Sequence, residues 1–391
     1  MQLNPGLLAL AVGAFGIGVT EFAPMGLLPV IASGLHVSIP VAGLLISGYA
    51  LGVMIGAPLM TLTTGRVPRR TLLIGLAGIF TLGNLLAAVS TSYWMLLIAR
   101  IITSFNHGAF FGVGSIVAAG LVPPQKRAGA VAAMFMGLTI ANVVGVPLAT
   151  WAGEHLGWRA AFWGIAALGV ATIAALRLTL PALPVEDGGN AMAELRVLTR
   201  GRVLGALALT VVGSSAMFTV FTYIAPILRE ATHASLGFVT AMLVTYGVGL
   251  TVGNWLGGRF ADRSVDRTLI VTLAALAAIL IAFALLMPFG APTAILVFLW
   301  GVASFALVPP LQVRVMTAAA DAPNLASAVN IGAFNLGNAL GAALGGGVIA
   351  AGLGYPAVAL AGAATSAVGL AAVVFTVREK ASRHDSSLCG A

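Results

Sequence analysis

The sequence predicts an all-α membrane protein with twelve transmembrane helices in two six-helix bundles. Three observations carry this: a composition too apolar for water, twelve apolar runs of spanning length, and an internal repeat relating the two halves. Of 391 residues, 60% are hydrophobic and 8% charged, against roughly a quarter charged in an ordinary soluble domain. A soluble protein of this length could not cover its surface with so few charges. The 49 glycines suit membrane helices whose backbones approach closely.

A spanning helix needs about 20 apolar residues. Taken in order, the candidate spans are 6–32, 40–62, 71–90, 93–120, 128–153, 158–178, 203–228, 236–258, 268–288, 292–316, 324–351 and 354–377. Each is bounded by charges, Pro or Gly. None shows the period-two alternation of barrel strands. The first run is too long for a signal-peptide core, and Met1-Gln2-Leu3-Asn4-Pro5 ahead of it carries no Lys or Arg, so it stands as the first helix. A polar stretch holding Pro181, Pro184, Glu186, Asp187, Gly188, Gly189, Asn190 and Glu194 reads as a linker. The expected organisation is a bundle over 1–178, a cytoplasmic linker over 179–202, a second bundle over 203–377 and a cytoplasmic tail over 378–391. The other gaps are short and leave no room for a soluble catalytic domain.

Positive charge fixes the expected orientation. Of 19 Lys and Arg, Arg159 and Arg229 fall in one set of loops, Arg100 falls within a span, and the rest fall on the side of the termini. Both termini are therefore expected in the cytoplasm. The net charge of +8 comes from residues scattered among short gaps rather than from one patch, which excludes nucleic acid as a partner. Cys389, the one cysteine, excludes an intrachain disulfide, an iron–sulfur cluster and a cysteine zinc finger. It is third from the end, so it forms no prenylation box. The lysines are Lys126 and Lys380, neither in a phosphate-binding loop, and Gly247-Val248-Gly249 lacks the strand–turn–helix context of a dinucleotide fold. No His/Glu spacing resembles a metalloprotease. No cofactor or metal is expected, the chain is not expected to be an enzyme, and an ion gradient is the expected energy source.

The repeat is read by sliding the chain 197 residues along itself. Tyr49, Gly52, Gly56, Arg66, Arg70, Thr71 and Leu72 then fall on Tyr246, Gly249, Gly253, Arg263, Arg267, Thr268 and Leu269, and Pro29 falls on Pro226. Asn142 and Gly145 match Asn338 and Gly341 at an offset one residue shorter. Parallel repeats of this kind are a mark of secondary transporters.

Loop 8–9 reads Gly258-Arg259-Phe260-Ala261-Asp262-Arg263, then Arg267. Loop 2–3 reads Gly65-Arg66-Val67-Pro68-Arg69-Arg70, with Gly65 at the repeat position of Asp262. These loops resemble the signature of the major facilitator superfamily. Gly145-Val146-Pro147-Leu148, with Gly137 before it, resembles the helix 5 motif of its 12-spanner drug:proton antiporters. Thr20-Glu21-Phe22, Met25-Gly26-Leu27-Leu28-Pro29, Asn106-His107-Gly108 and Phe334-Asn335-Leu336-Gly337-Asn338 resemble its arabinose-efflux and chloramphenicol-resistance branch. The resemblance implies a monomeric transporter of the bacterial inner membrane. It would export a small drug-like molecule by alternating access against inward proton flow; a sugar or sugar-derivative exporter is the second reading. The resemblance further implies that Gly65, Arg66, Arg70, Asp262, Arg263, Arg267, Gly145 and Pro147 govern conformational exchange.

An ionisable group in lipid costs at least about 2.5–3.5 kcal/mol at a helix centre. Glu21 is the acid inside the candidate spans, ~21 Å along helix 1 from Leu7 at about 1.5 Å per residue. Its repeat position is Phe218. Desolvation penalises the charged carboxylate, so Glu21 reads either as a proton carrier or as a structural carboxyl bonded to a neighbouring helix. Arg100, Thr103, Ser104 and His107 share one face of helix 4, and Arg100 lies at the depth of Glu21, where a pair would oppose desolvation. His107 reads as a second proton-coupling group or as a packing residue. Met25, Ser104, Asn142, Phe218, Phe221, Tyr223, Trp300 and Asn335 are the candidate lining of a substrate cavity; for Asn142, interhelical packing is the competing role.

Overall fold

A computed structural model of the chain describes residues 4–64, 66–123, 127–181, 197–321 and 323–388. Gly65 and most of the expected linker lie outside the described residues. Among the described residues the secondary structure is helical, and twelve helices are long and apolar enough to cross a membrane. They are α1 (Pro5–Gly34), α2 (Ile39–Thr63), α3 (Arg69–Ala88), α4 (Tyr93–Gly120), α5 (Arg127–Ile140, continuing to Leu156), α6 (Trp158–Thr179), α7 (Gly201–Phe221), α8 (Leu236–Ala261), α9 (Val265–Leu286), α10 (Gly290–Ala306, resuming as Val308–Ala318), α11 (Pro323–Ala350) and α12 (Gly354–Leu388).

The helix starts follow local chemistry. Asn4 accepts from the Gly6 amide, with Pro5 as the first helical residue, and Ser38, Ser92, Ser235 and Ser264 each accept from the amide three residues on. Such caps satisfy amides that have no partner inside the helix. The caps Ser38 and Ser235 are one repeat apart. So are His36 and His233, which turn the chain ahead of them with φ of 54° and 52°. A left-handed conformation is uncommon outside glycine, so two such turns at the repeat offset show the duplication in the backbone itself.

Three spans depart from the straight runs expected. The seventh ends at Phe221 and passes through Thr222 and Tyr223 into a short turn, Ile224–Pro226, and a wide turn, Ile227–Ala231. Pro226 has no amide to continue the ladder, and separately the Tyr223 hydroxyl donates to the Ala342 carbonyl, tying this segment to α11. The tenth breaks at Leu307, where Pro309 and Pro310 remove two donors. α5 holds a π-turn, Ala141–Gly145, just before Pro147, where such a bulge absorbs the lost bond. α12 also runs through residue 378 to Leu388, where a tail was expected.

A small cluster of Val197, Val203, Ala206, Val315, Ala319 and Ala326 stands apart from two large apolar cores. One is drawn from Ala9 to Leu180. The other comes from the second half, joined by Phe22, Met25, Leu28, Ala32, Ala42, Ile46 and Val146 of the first. The crossing of α2 with α4 repeats as that of α8 with α10: Gly52 faces Ser104 and Gly56 faces Phe105, while Gly249 faces Gly301 and Gly253 faces Val302. In the second pair the contact is backbone to backbone, and a Cβ at Gly253 would overlap the Val302 carbonyl. The halves also meet across their boundary. Ser47 donates to the Ala339 carbonyl at 3.1 Å, and Arg229 pairs with Glu154 at 2.5 Å at the end of the bundle remote from the chain termini.

Candidate functional site

α1 is buried almost continuously from Gly16 to Leu28, and Glu21 is 8% exposed. Arg100 of α4 is 1% exposed. Its Nη1 donates to the Thr20 carbonyl, so it is held beside Glu21 by the backbone of the preceding residue. The guanidinium lies 4.2 Å from the centre of the Tyr49 ring of α2, within cation–π range. The Tyr49 hydroxyl is 3.1 Å from His107 Nδ1. That nitrogen is 3.9 Å from Glu21 Oε2. α3 braces the cluster from behind: Thr20 Oγ1 donates to Asn84 Oδ1 at 2.7 Å, and Asn84 Nδ2 donates to the Phe80 carbonyl.

Four helices thus bring together Glu21, Arg100 and His107, the three residues singled out for proton coupling. The direct Glu21–Arg100 pair that the sequence leaves open is not formed, and a longer arrangement stands in its place. No Arg100 nitrogen comes within 4.0 Å of a Glu21 oxygen, and Tyr49 occupies the place between Arg100 and His107. Arg100 Nε and Nη2 are buried without a partner. An unpaired buried donor costs about 1–3 kcal/mol, so these two atoms are open to a further acceptor. Tyr49 and Asn84 were missed as site residues. Tyr49 stood out in the sequence only as a repeat marker, and Asn84, an amide in the third span, did not stand out at all.

The repeat makes the second half a control. Tyr246 and Ser304 are separated by 58 residues, as are Tyr49 and His107, and their hydroxyls are 3.4 Å apart. The positions matching Glu21 and Arg100 hold Phe218 and Val297. An aromatic cluster replaces the charges. Tyr246 stacks on Phe221 at 4.4 Å and sits 4.7 Å from Trp300, and Phe22 is 6.2 Å and 6.1 Å from Phe218 and Phe221. Phe22, next to Glu21, therefore joins the charged site to the aromatic one.

The remaining candidate cavity residues are placed as follows. Met25, Phe218, Phe221, Tyr223 and Trp300 are buried in the second core. Ser104 bonds the Ile101 carbonyl and packs at Gly52, a helix crossing. Asn142 and Asn335 each donate one turn back, to Leu138 and Ile331, and Asn335 Oδ1 is buried without a partner. Gly145 lies against Val19 and Phe15 of α1, and Pro147 is buried beside it.

The loop motifs divide unequally. Arg66 is exposed. Arg70 Nη2 donates to the Arg177 carbonyl, closing the end of α6. In the second half Asp262, Arg263 and Arg267 are exposed, and the acid beside that loop that forms an ion pair is Asp266, which accepts from Arg314 at 2.6 Å while Arg314 also donates to Thr376 of α12. Asp266→Asn is expected to destabilise the protein by about 1 kcal/mol, less than the roughly 1.5–3 kcal/mol of a buried charged hydrogen bond because the pair is partly exposed to solvent. Thermal unfolding in detergent would show it, and an unchanged midpoint would count against the pair. Among the described residues, no three His, Cys, Asp or Glu side chains gather as a metal site.

A family model described as Major Facilitator Superfamily matches residues 10–330 and 207–390. The chain is 56% identical to the Inner membrane transport protein YdhP of Escherichia coli K12, over 97% of this chain and 98% of that one. It is 41% identical to the MFS-type transporter YtbD of Bacillus subtilis 168 over 88% of each, and 36% identical to the Putative transporter AraJ of E. coli K12 over 96% and 95%. Among solved structures, the E. coli xylose transporter XylE in a partially occluded inward-open conformation superposes with a TM-score of 0.72 at 16% identity, covering 96% of this chain and 97% of that one. The nucleoside transporter NupG gives 0.77 at 14%, covering 94% and 99%; at these identities the likeness shows the fold alone. With this fold and these relatives, which are transporters and not enzymes, the chain belongs to the major facilitator superfamily.

Proposed function

We propose that this protein is a proton-coupled exporter of a small drug-like molecule, working by alternating access in the bacterial inner membrane with both termini in the cytoplasm. The observation that carries the reading is the charged cluster of Glu21, Arg100, Tyr49 and His107, buried in one half and replaced by aromatic residues in the other. A carboxyl that must shed its proton in a buried site needs a partner for the charge left behind. Arg100 supplies two open donors for it. A protonated Glu21 rests beside His107, and a charged one turns to Arg100; that turn couples proton loss to the packing of α1. The apolar body of the substrate would meet the aromatic cluster through Phe22. The inner-membrane placement is supported by the 56% identity to YdhP, and the orientation by the distribution of basic residues.

Everted membrane vesicles test this directly. Substrate uptake should appear when the vesicle interior is acidified and vanish on addition of a protonophore. Uptake indifferent to the proton gradient would overturn the proton-coupled reading. Within the same reading, Asp262→Asn should lower turnover with little change in substrate affinity, because an exposed loop carboxylate acts on conformational exchange rather than on ligand. Unchanged turnover at normal expression would exclude that role.

A further inference from the structure

A cavity of about 600 Å³ opens between α8, α9 and α10, at the end of the second half that carries the chain terminus. Its floor is small or apolar: Gly257, Ala275, Ala303 and Ala306 among others. Its rim reaches the outer surface of the bundle, where Phe260 and Val271 are 45% and 62% exposed. Along α9 it runs from Arg267 to Ile279, a rise of ~18 Å at about 1.5 Å per residue. That is close to one leaflet of a hydrocarbon core about 30 Å thick.

The mouth is polar and positive. Arg263, Ser264, Arg267 and Thr268 line it. Thr268 donates to the Ser264 carbonyl, and Ser264 Oγ accepts from the Arg267 amide. The two guanidinium groups are exposed, and neither lies within 4.0 Å of a carboxylate among the described residues. Asp262 sits on the same turn but does not line the cavity. Asp266 is directed to Arg314. The repeat sharpens the point. Arg70, the counterpart of Arg267, is occupied in closing α6. In the second half Arg314 reaches α12 through Thr376, which leaves Arg267 available at the groove.

We propose that this groove holds an anionic phospholipid, one acyl chain lying between α9 and the α8–α10 pair and the phosphate bridging Arg263 and Arg267. The shape suits a chain one leaflet long, and the paired arginines suit a phosphate with a net negative headgroup rather than a zwitterionic one. Such a lipid site would form whatever the coupling ion or transport direction.

Native mass spectrometry of the purified full chain, with phosphatidylglycerol or phosphatidylcholine of matched chain length, tests it. Phosphatidylglycerol should be retained preferentially. R263Q/R267Q should weaken that retention about 30-fold, the loss expected for two basic residues near an anionic surface, while R263K/R267K should keep most of it. Ala275→Phe, which fills the floor, should displace the lipid with both arginines intact. Equal retention of the two lipids would overturn the proposal, as would phosphatidylglycerol binding that survives both R263Q/R267Q and Ala275→Phe. Inorganic phosphate that displaces no lipid is expected; phosphate that binds equally tightly without a lipid chain would assign the site to a free anion instead.

Discussion

Glu21→Gln is expected to abolish proton-driven accumulation while leaving the protein folded. The amide keeps the size of the carboxyl and can still hydrogen-bond, but it does not titrate. In the first half Glu21 is the carboxylate within the buried cluster, and its repeat position is Phe218, so no symmetric acid can take over the proton. One proton exchanged per neutral substrate moves one charge, and a membrane potential of ~100 mV then supplies about 2.3 kcal/mol. That sustains a gradient of roughly 50-fold, and in Glu21→Gln the gradient should collapse to about even concentrations. Binding of a neutral substrate should be spared and that of a cationic one weakened. The decisive measurement is the pH change on adding substrate to detergent-solubilised protein. Proton release that persists undiminished in Glu21→Gln would move the carrier role to His107, whose Nδ1 is 3.9 Å from the carboxylate.

The fold was legible because membrane helices announce themselves by composition. Every span has its helix, and the breaks within spans sit at prolines: Pro147, Pro226 and the Pro309-Pro310 pair each mark a place where the backbone ladder is interrupted. The sequence read these runs by hydropathy, which counts a proline as one more tolerated residue. Of the site, Glu21, Arg100 and His107 were legible because a titratable group in an apolar run needs a reason to be there. Tyr49 was not. A tyrosine in a span reads as apolar, and its role depends on a neighbouring helix, α4, placing the Arg100 guanidinium on its face and the His107 imidazole at its hydroxyl. The ion pair of the second loop went to Asp266 rather than to the motif acid Asp262, since Arg314 comes from a helix 48 residues on, a distance no local pattern spans.

Gly247→Ala carries the second large effect, and it separates a moving contact from a fixed one. A Cβ at Gly247 would sit 2.5 Å from the Asn142 carbonyl oxygen and 3.0 Å from the Val143 Cα. These are backbone atoms of α5 in the other half, so no side chain can swing aside, and α8 and α5 must separate. Overpacking of this kind costs about 1–3 kcal/mol. If the halves rock against each other, the cost falls on the arrangement seen here and not on the folded state as a whole, which shifts the conformational balance about 5–150-fold. Gly253 provides the contrast, because its Cβ would strike the Val302 carbonyl of α10 within its own half. Gly247→Ala should therefore lower crosslinking between Glu154→Cys and Arg229→Cys by a short thiol reagent, in a Cys389→Ser background, with little change in thermal midpoint. Gly253→Ala should lower the midpoint and leave crosslinking intact. A Gly247→Ala protein that unfolds earlier yet crosslinks as before would place the α5–α8 contact in the rigid fold, and alternating access would have to pivot elsewhere.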